Sequence, residues 1–143
     1  MRRGGFTIAE VAMASLVTAF GIATAITALQ MGFRSLDTAR GTTLASQILQ
    51  SEIERVRLMS WTAISALPQM ATVDLSTMFT TNSTLSSNYT VTEKVADVIA
   101  GEIRQITVVA VWTGYDGRSH QLSMTTYYTK NGLYDYYYTL ARP

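Results

Sequence analysis

Residues 1–10, Met1-Arg2-Arg3-Gly4-Gly5-Phe6-Thr7-Ile8-Ala9-Glu10, run into VAMASLVTAFGIATAITALQMGF at 11–33, and this stretch decides the fold. Two arginines lead, Glu10 comes next, and no further charge appears before Arg34. At about 1.5 Å per residue the uncharged run makes a helix on the order of 34 Å long. That matches a hydrocarbon core of roughly 30 Å. Ser15, Thr18, Thr24 and Thr27 can bond back to their own helix. Gly21 and the alanines leave room for close helix approach. Arg2 and Arg3 place the N-terminus on the cytoplasmic side and the rest of the chain across the membrane. A carboxylate at the mouth of such a helix is costly unless paired, so Glu10 calls for a partner. The plainer alternative is that it snorkels to the headgroups.

A secretory signal peptide shares the basic start and the apolar run, and Ala23-Thr24-Ala25 would fit its cut. Two features oppose it. Glu10 interrupts the start of the run, and the helical pattern does not stop afterwards. No proline occurs between Phe6 and Trp61. Ala45, Ile48, Leu49, Ile53 and Val56 form one apolar stripe at three- and four-residue spacing. Glu52 with Arg55 and Glu54 with Arg57 are i,i+3 pairs worth a few tenths of a kcal/mol each. Gly41 is a weak point, costing about 1 kcal/mol against alanine. The sequence therefore predicts one helix from about Phe6 to Met59, with a lipid-facing half (6–33) and an amphipathic half (34–60).

Leu67-Pro68 ends the segment after the helix. Residues 71–88, rich in Thr and Ser, read as loop, so 61–88 is assigned as a loop region. Strands occupy 89–143. Tyr89, Val91, Glu93 and Val95 alternate on one side. Ile103–Thr113 puts Ile106, Val108, Ala110 and Trp112 on one face. Asp116-Gly117 is a hairpin signal, after which Leu122, Met124, Thr126 and Tyr128 alternate. Asn131-Gly132 is a second turn into a strand over 133–140. The expected fold is α+β: a long N-terminal helix whose amphipathic half covers a 3–4-stranded antiparallel sheet.

The 143 residues carry 11 basic and 10 acidic side chains, a net charge of +1, which gives no sign of a nucleic-acid partner. With no cysteine there is no disulfide or thiolate metal site. Once a membrane segment of roughly 30 residues is set aside, about 110 remain, too few for a large enzyme cleft. Ser119-His120 is not a catalytic pair, because neighbours on a strand point to opposite faces; a surface histidine is expected. Glu52 and Glu54 diverge on the helix and make no carboxylate dyad. Asp116 and Asp135 are isolated, so no metal or other cofactor is expected, and no catalytic residue. Asn82 and Asn88 match glycosylation sequons, which Thr-rich loops produce often. Tyr134, Tyr136, Tyr137 and Tyr138 read as sheet-face packing or, alternatively, as an adhesive patch; single-stranded nucleic acid is the weakest reading.

The opening residues resemble the class III leader of type IV pilin-like proteins. Arg2 and Arg3 form its basic stretch, Gly5 precedes the cut, Phe6 comes after it, and Glu10 stands five residues on from Gly5; Thr7 is also typical. The segment IRQITVVAVWTGYDGRSHQLSMTTYY resembles the PilV-like minor pilins and the I-type pseudopilins. The first resemblance covers about 30 residues, the second about 40. Together they imply a non-enzymatic filament subunit. A prepilin peptidase would cut between Gly5 and Phe6, removing residues 1–5, and methylate the new amine of Phe6. Thr7 and Glu10 would serve recognition and assembly. The protein would wait in the inner membrane as a single-pass protein and then enter a pilus or pseudopilus. Its partners would be other pilins, met through the N-terminal helix, together with the assembly platform and membrane lipid.

Physical chemistry is compatible with these roles. Gly5 lets an extended backbone enter a protease slot closely. The cut removes two basic residues and creates an amine with a pKa near 8. Glu10 is its natural counter-charge, on its own subunit or a neighbour's. Two departures from the major pilins stand out: the only prolines are Pro68 and Pro143, neither in the membrane helix, and there is no cysteine. Both favour an accessory subunit over the main one. A secreted β-rich binding domain, a membrane-anchored β domain that never polymerises and a major pilin remain as alternatives.

Overall fold

The computed structural model describes residues 5–76 and 87–132. The chain divides into two compact units, Met1–Asp37 and Thr38–Pro143. Helix α1 (Ile8–Arg57, 50 residues) contributes to both.

In the first unit α1 is apolar and every described side chain from residue 5 to 37 is exposed. It is the one helix among the described residues long and apolar enough to cross a membrane. Its hydroxyls are turned back on the backbone, as the sequence predicts. Ser15 Oγ donates to Val11 O at 2.9 Å, Thr18 Oγ1 to Ala14 O at 2.8 Å and Thr27 Oγ1 to Ala23 O at 2.9 Å. Thr24 Oγ1 lies 2.9 Å from both Phe20 O and Gly21 O. Each hydroxyl is thereby satisfied without water.

The second unit is α+β. Four strands, β1 (Met70–Thr72), β2 (Tyr89–Ile99), β3 (Ile103–Thr113) and β4 (Ser119–Thr129), form an antiparallel sheet in the order β1-β2-β3-β4. Alternation sends Tyr89, Val91, Glu93 and Val95 of β2 and Ile106, Val108, Ala110 and Trp112 of β3 to one buried face. The register places Val91 opposite Ala110 and Val108 opposite Met124. The end of α1 covers this face with Ala45, Ile48, Leu49, Ile53 and Val56, and these residues share one core with the strands. The predicted helical stripe and the predicted strand faces are therefore the two sides of that core. Burial of each large aliphatic side chain there stabilises the fold by about 1.5–3 kcal/mol.

The segment read as loop carries more structure than its composition suggests. Ser60 caps a short helix, α2 (Trp61–Ser65), by accepting from Ala63 N at 3.3 Å. β1 pairs with Thr92–Lys94, an edge strand of three residues. Propensity misses it because hydrogen bonds to the neighbouring strand β2, not its own residues, hold it extended. Arg104 ties α2 to the sheet: Nη1 donates to Ile64 O at 2.7 Å and to Ser65 O at 3.1 Å, while Nε meets Asp97 Oδ1 at 2.7 Å. At the β3–β4 turn Gly117 takes a positive φ of 73° and Asp116 Oδ1 accepts from Arg118 N at 3.0 Å, which is the chemistry an Asp-Gly turn requires. Asn131 has φ 61°, consistent with the second predicted turn; the strand expected over 133–140 and its tyrosines lie outside the described residues.

Gly41 has a role that helix propensity does not convey. The Trp112 indole lies against it, and a Cβ there would stand 2.5 Å from Trp112 Nε1. Tyr89 OH donates to Gly41 O at 3.2 Å. Glycine is the residue that lets this turn of α1 approach the sheet so closely.

Candidate processing and assembly site

Gly5, Phe6, Thr7 and Glu10 sit at the start of α1. Nothing lies within 4 Å of the position a Gly5 side chain would take, and Phe6 is 89% exposed. Among the described residues nothing is packed against either side-chain position. Thr7 is the N-cap. Its carbonyl accepts the first helical bond, from Val11 N at 3.2 Å, and its hydroxyl accepts from Glu10 N at 3.3 Å. Glu10 reaches back: its Oε2 accepts from Thr7 N at 2.9 Å and from the Thr7 hydroxyl at 3.0 Å. This reciprocal arrangement is a capping box, with glutamate three residues after the cap. It satisfies otherwise orphaned helix donors and is worth about 1 kcal/mol.

The box supplies a partner for Glu10 within its own chain. The signal was present in the sequence as Thr7-Ile8-Ala9-Glu10 ahead of an apolar run, but Thr7 stood out only through the resemblance. The box also holds the Glu10 carboxylate at the amide of Thr7, one residue from the nitrogen of Phe6. Glu10 shares its helix face with the small side chains of Ala14, Ser15, Thr18 and Ala19, flanked by Phe6, Val11 and Ile22.

The other candidate groups fall into place around the second unit. Glu54 is exposed and pairs with Arg57 at 2.9 Å, whereas Glu52 is fully buried, so the two diverge. His120 corrects the expectation of a surface histidine. Its cross-strand partner is Trp112, on which it stacks with centroids 5.5 Å apart, and Nε2 stands 3.8 Å from Asp116 Oδ1. The bulk of the indole half-buries it. Among the described residues no three acidic, histidine or cysteine side chains converge as a metal site. The chain matches no protein-family model, no curated protein and no solved structure.

Proposed function

We propose that this chain is a minor pilin or pseudopilin, a structural subunit of a type IV pilus or type II secretion pseudopilus with no catalysis of its own. In this reading a prepilin peptidase cuts between Gly5 and Phe6 and methylates Phe6. The protein then waits in the inner membrane with its sheet domain on the far side. The assembly platform moves it into a filament through the N-terminal helix, where Glu10 meets the amine of Phe6 on its own or a neighbouring subunit.

One observation carries the reading. An uncrowded Gly5 and an exposed Phe6 precede a capped 50-residue helix whose apolar part is exposed among the described residues of its unit, while the end of the same helix covers an antiparallel sheet. The capping box adds to it, because it holds the Glu10 carboxylate on the amide of Thr7, one residue from the nitrogen that cleavage would free. The mid-helix position of Ala23–Ala25 favours this reading over signal peptidase release, which needs extended chain.

Mass spectrometry of the mature N-terminus from the native cell envelope tests the proposal. Methylated Phe6 is the expected result. Ile26 as the first residue would instead identify a secreted domain, and an intact Met1 an anchored protein that is not processed.

A further inference from the structure

Glu52 of α1 and Glu93 of β2 meet inside the second unit, the first fully buried and the second 3% exposed. Arg55 is the cation between them, and it divides itself unequally. Its Nε and Nη2 both donate to Glu52 Oε1, at 2.9 and 2.5 Å, whereas Glu93 Oε2 receives one longer contact from Nη2, at 3.3 Å. The remaining oxygens, Glu52 Oε2 and Glu93 Oε1, are closed to solvent and have no hydrogen-bond partner among the described residues. Two ionised carboxylates on one guanidinium would leave a negative charge uncompensated in the seam between helix and sheet, which is costly.

Among the described residues no other cation relieves it. Glu54 and Arg57 of α1 are exposed and pair with each other. α2 carries no charge, and neither does β1, where Ala71 lies opposite Glu93. Across β3 its neighbour is Val108, and Met124 of β4 comes next in that row. Lys94 follows Glu93 in β2 and so points to the other face of the sheet. Arg104 is held by Asp97 and by the carbonyls of α2. Asp74 lies nearby and adds only negative charge, since the Ser76 hydroxyl and amide lower its pKa. Residues 77–86 contain no charged side chain.

We propose that the seam between the end of α1 and β2 is a proton-operated clasp: Glu93 takes up a proton as the chain folds, and the seam tightens as the surroundings acidify. The unequal sharing of Arg55 places the proton on Glu93. Two of the three contacts from the guanidinium go to Glu52, and Glu93 has only the longest. A neutral Glu93 leaves Arg55 and Glu52 as a balanced pair and removes the unmatched charge from the interior. Its pKa moves in the same direction: burial raises it, Arg55 lowers it and Glu52 raises it. With the folded value above the unfolded one, the stabilisation is complete below the ordinary glutamate value of about 4.3 and is lost as pH rises through the raised value. Above that point an ionised Glu93 repels Glu52, and the strain falls on the last turns of α1, where Glu52 and Arg55 sit. The clasp belongs to the second unit alone and operates whether or not the chain enters a filament.

The test labels the glutamate carboxyl carbons of the full chain in detergent micelles and follows them by NMR from pH about 4 to about 8. The Glu93 signal should titrate with a midpoint above the ordinary value of about 4.3. Glu52→Gln leaves Arg55 to Glu93 alone and should lower that midpoint. Urea unfolding of the unaltered chain and of Glu93→Gln then gives the ratio of their unfolding constants at each pH, in which the titrations of His120, Asp74 and Asp116 cancel. Over this range the constant of the unaltered chain should rise about threefold or more relative to that of the variant. Where a variant fails to fold, the Glu93 titration in the unaltered chain decides. A midpoint at or below about 4.3, a midpoint unmoved or raised by Glu52→Gln, or a ratio that stays flat or falls as pH rises would each overturn the clasp.

Discussion

Replacing Gly41 with alanine separates helix propensity from packing by sign. Propensity alone predicts a gain of about 1 kcal/mol, because glycine is the poorer helix former. The fold predicts a loss. A Cβ at position 41 would lie 2.5 Å from Trp112 Nε1, 3.2 Å from Cε2 and 3.3 Å from Cδ1. The indole has little room to retreat, since it is flanked by Tyr89 at 5.8 Å and stacked on His120 at 5.5 Å. Forcing one extra carbon into a packed site costs about 1–3 kcal/mol. Displacing the Tyr89 hydroxyl from Gly41 O removes a hydrogen bond worth about 1 kcal/mol. After the propensity gain is subtracted, a net loss of about 1–3 kcal/mol remains, or a fall in Tm of roughly 4–8 °C per kcal/mol for a domain of about this size. Thermal unfolding of the full chain in micelles, followed by near-UV circular dichroism, reads it. The Trp112→Phe background completes a double-mutant cycle: with the indole nitrogen gone, Gly41→Ala should become neutral or stabilising, a coupling of about 1 kcal/mol or more. An unchanged or raised Tm for the single variant would refute the close-approach account.

Other sites make their own demands. Thr7→Val removes the capping hydroxyl and should fray the first turn by about 1 kcal/mol, seen as faster amide exchange at residues 8–11. If the proposed filament reading holds, Glu10→Ala should still be processed at Gly5–Phe6 yet be recovered poorly in sheared filaments; normal assembly would remove the charge-pairing role. Arg104→Ala frees the end of α2 from the sheet and should cost about 1–3 kcal/mol in a denaturant midpoint, with Arg104→Lys recovering only part. The pH dependence has a definite sign. Glu93 has a raised folded pKa, so stability is greatest below the ordinary glutamate value of about 4.3 and declines as pH rises through the raised one. Asp74 and Asp116 have lowered values and act oppositely, losing stability as pH falls through their folded values. Glu93→Gln should flatten the upper limb alone in pH-resolved unfolding.

The periodic parts of the fold were legible in the sequence. The stripe Ala45, Ile48, Leu49, Ile53, Val56 and the alternation along Tyr89–Val95 and Ile103–Thr113 come directly from 3.6- and 2-residue repeats. Glu52 falls on the stripe by position, three residues after Leu49 and four before Val56, and its burial is offset by the i,i+3 pair with Arg55 that the sequence predicts. The approach of Glu93, which shares the same guanidinium, is a contact no local pattern displays. β1 and the Arg104 tether are non-local for the same reason. Of the candidate site, Glu10 is legible by its charge beside an apolar run and Gly5 and Phe6 through the resemblance to the leader, whereas the reciprocal bonding of Thr7 and Glu10 emerges from backbone geometry. Gly41 acts with the opposite sign from its propensity because propensity scales average over helices with nothing pressed against them.

The setting of Trp112 has an optical consequence. It is 6% exposed, one of two tryptophans in the chain, and its ring touches the helix at Gly41. With Trp61 replaced by phenylalanine, the remaining fluorophore sits at the seam between helix and sheet. Its emission wavelength becomes a direct gauge of whether that seam is shut, readable at nanomolar concentration and in intact membranes.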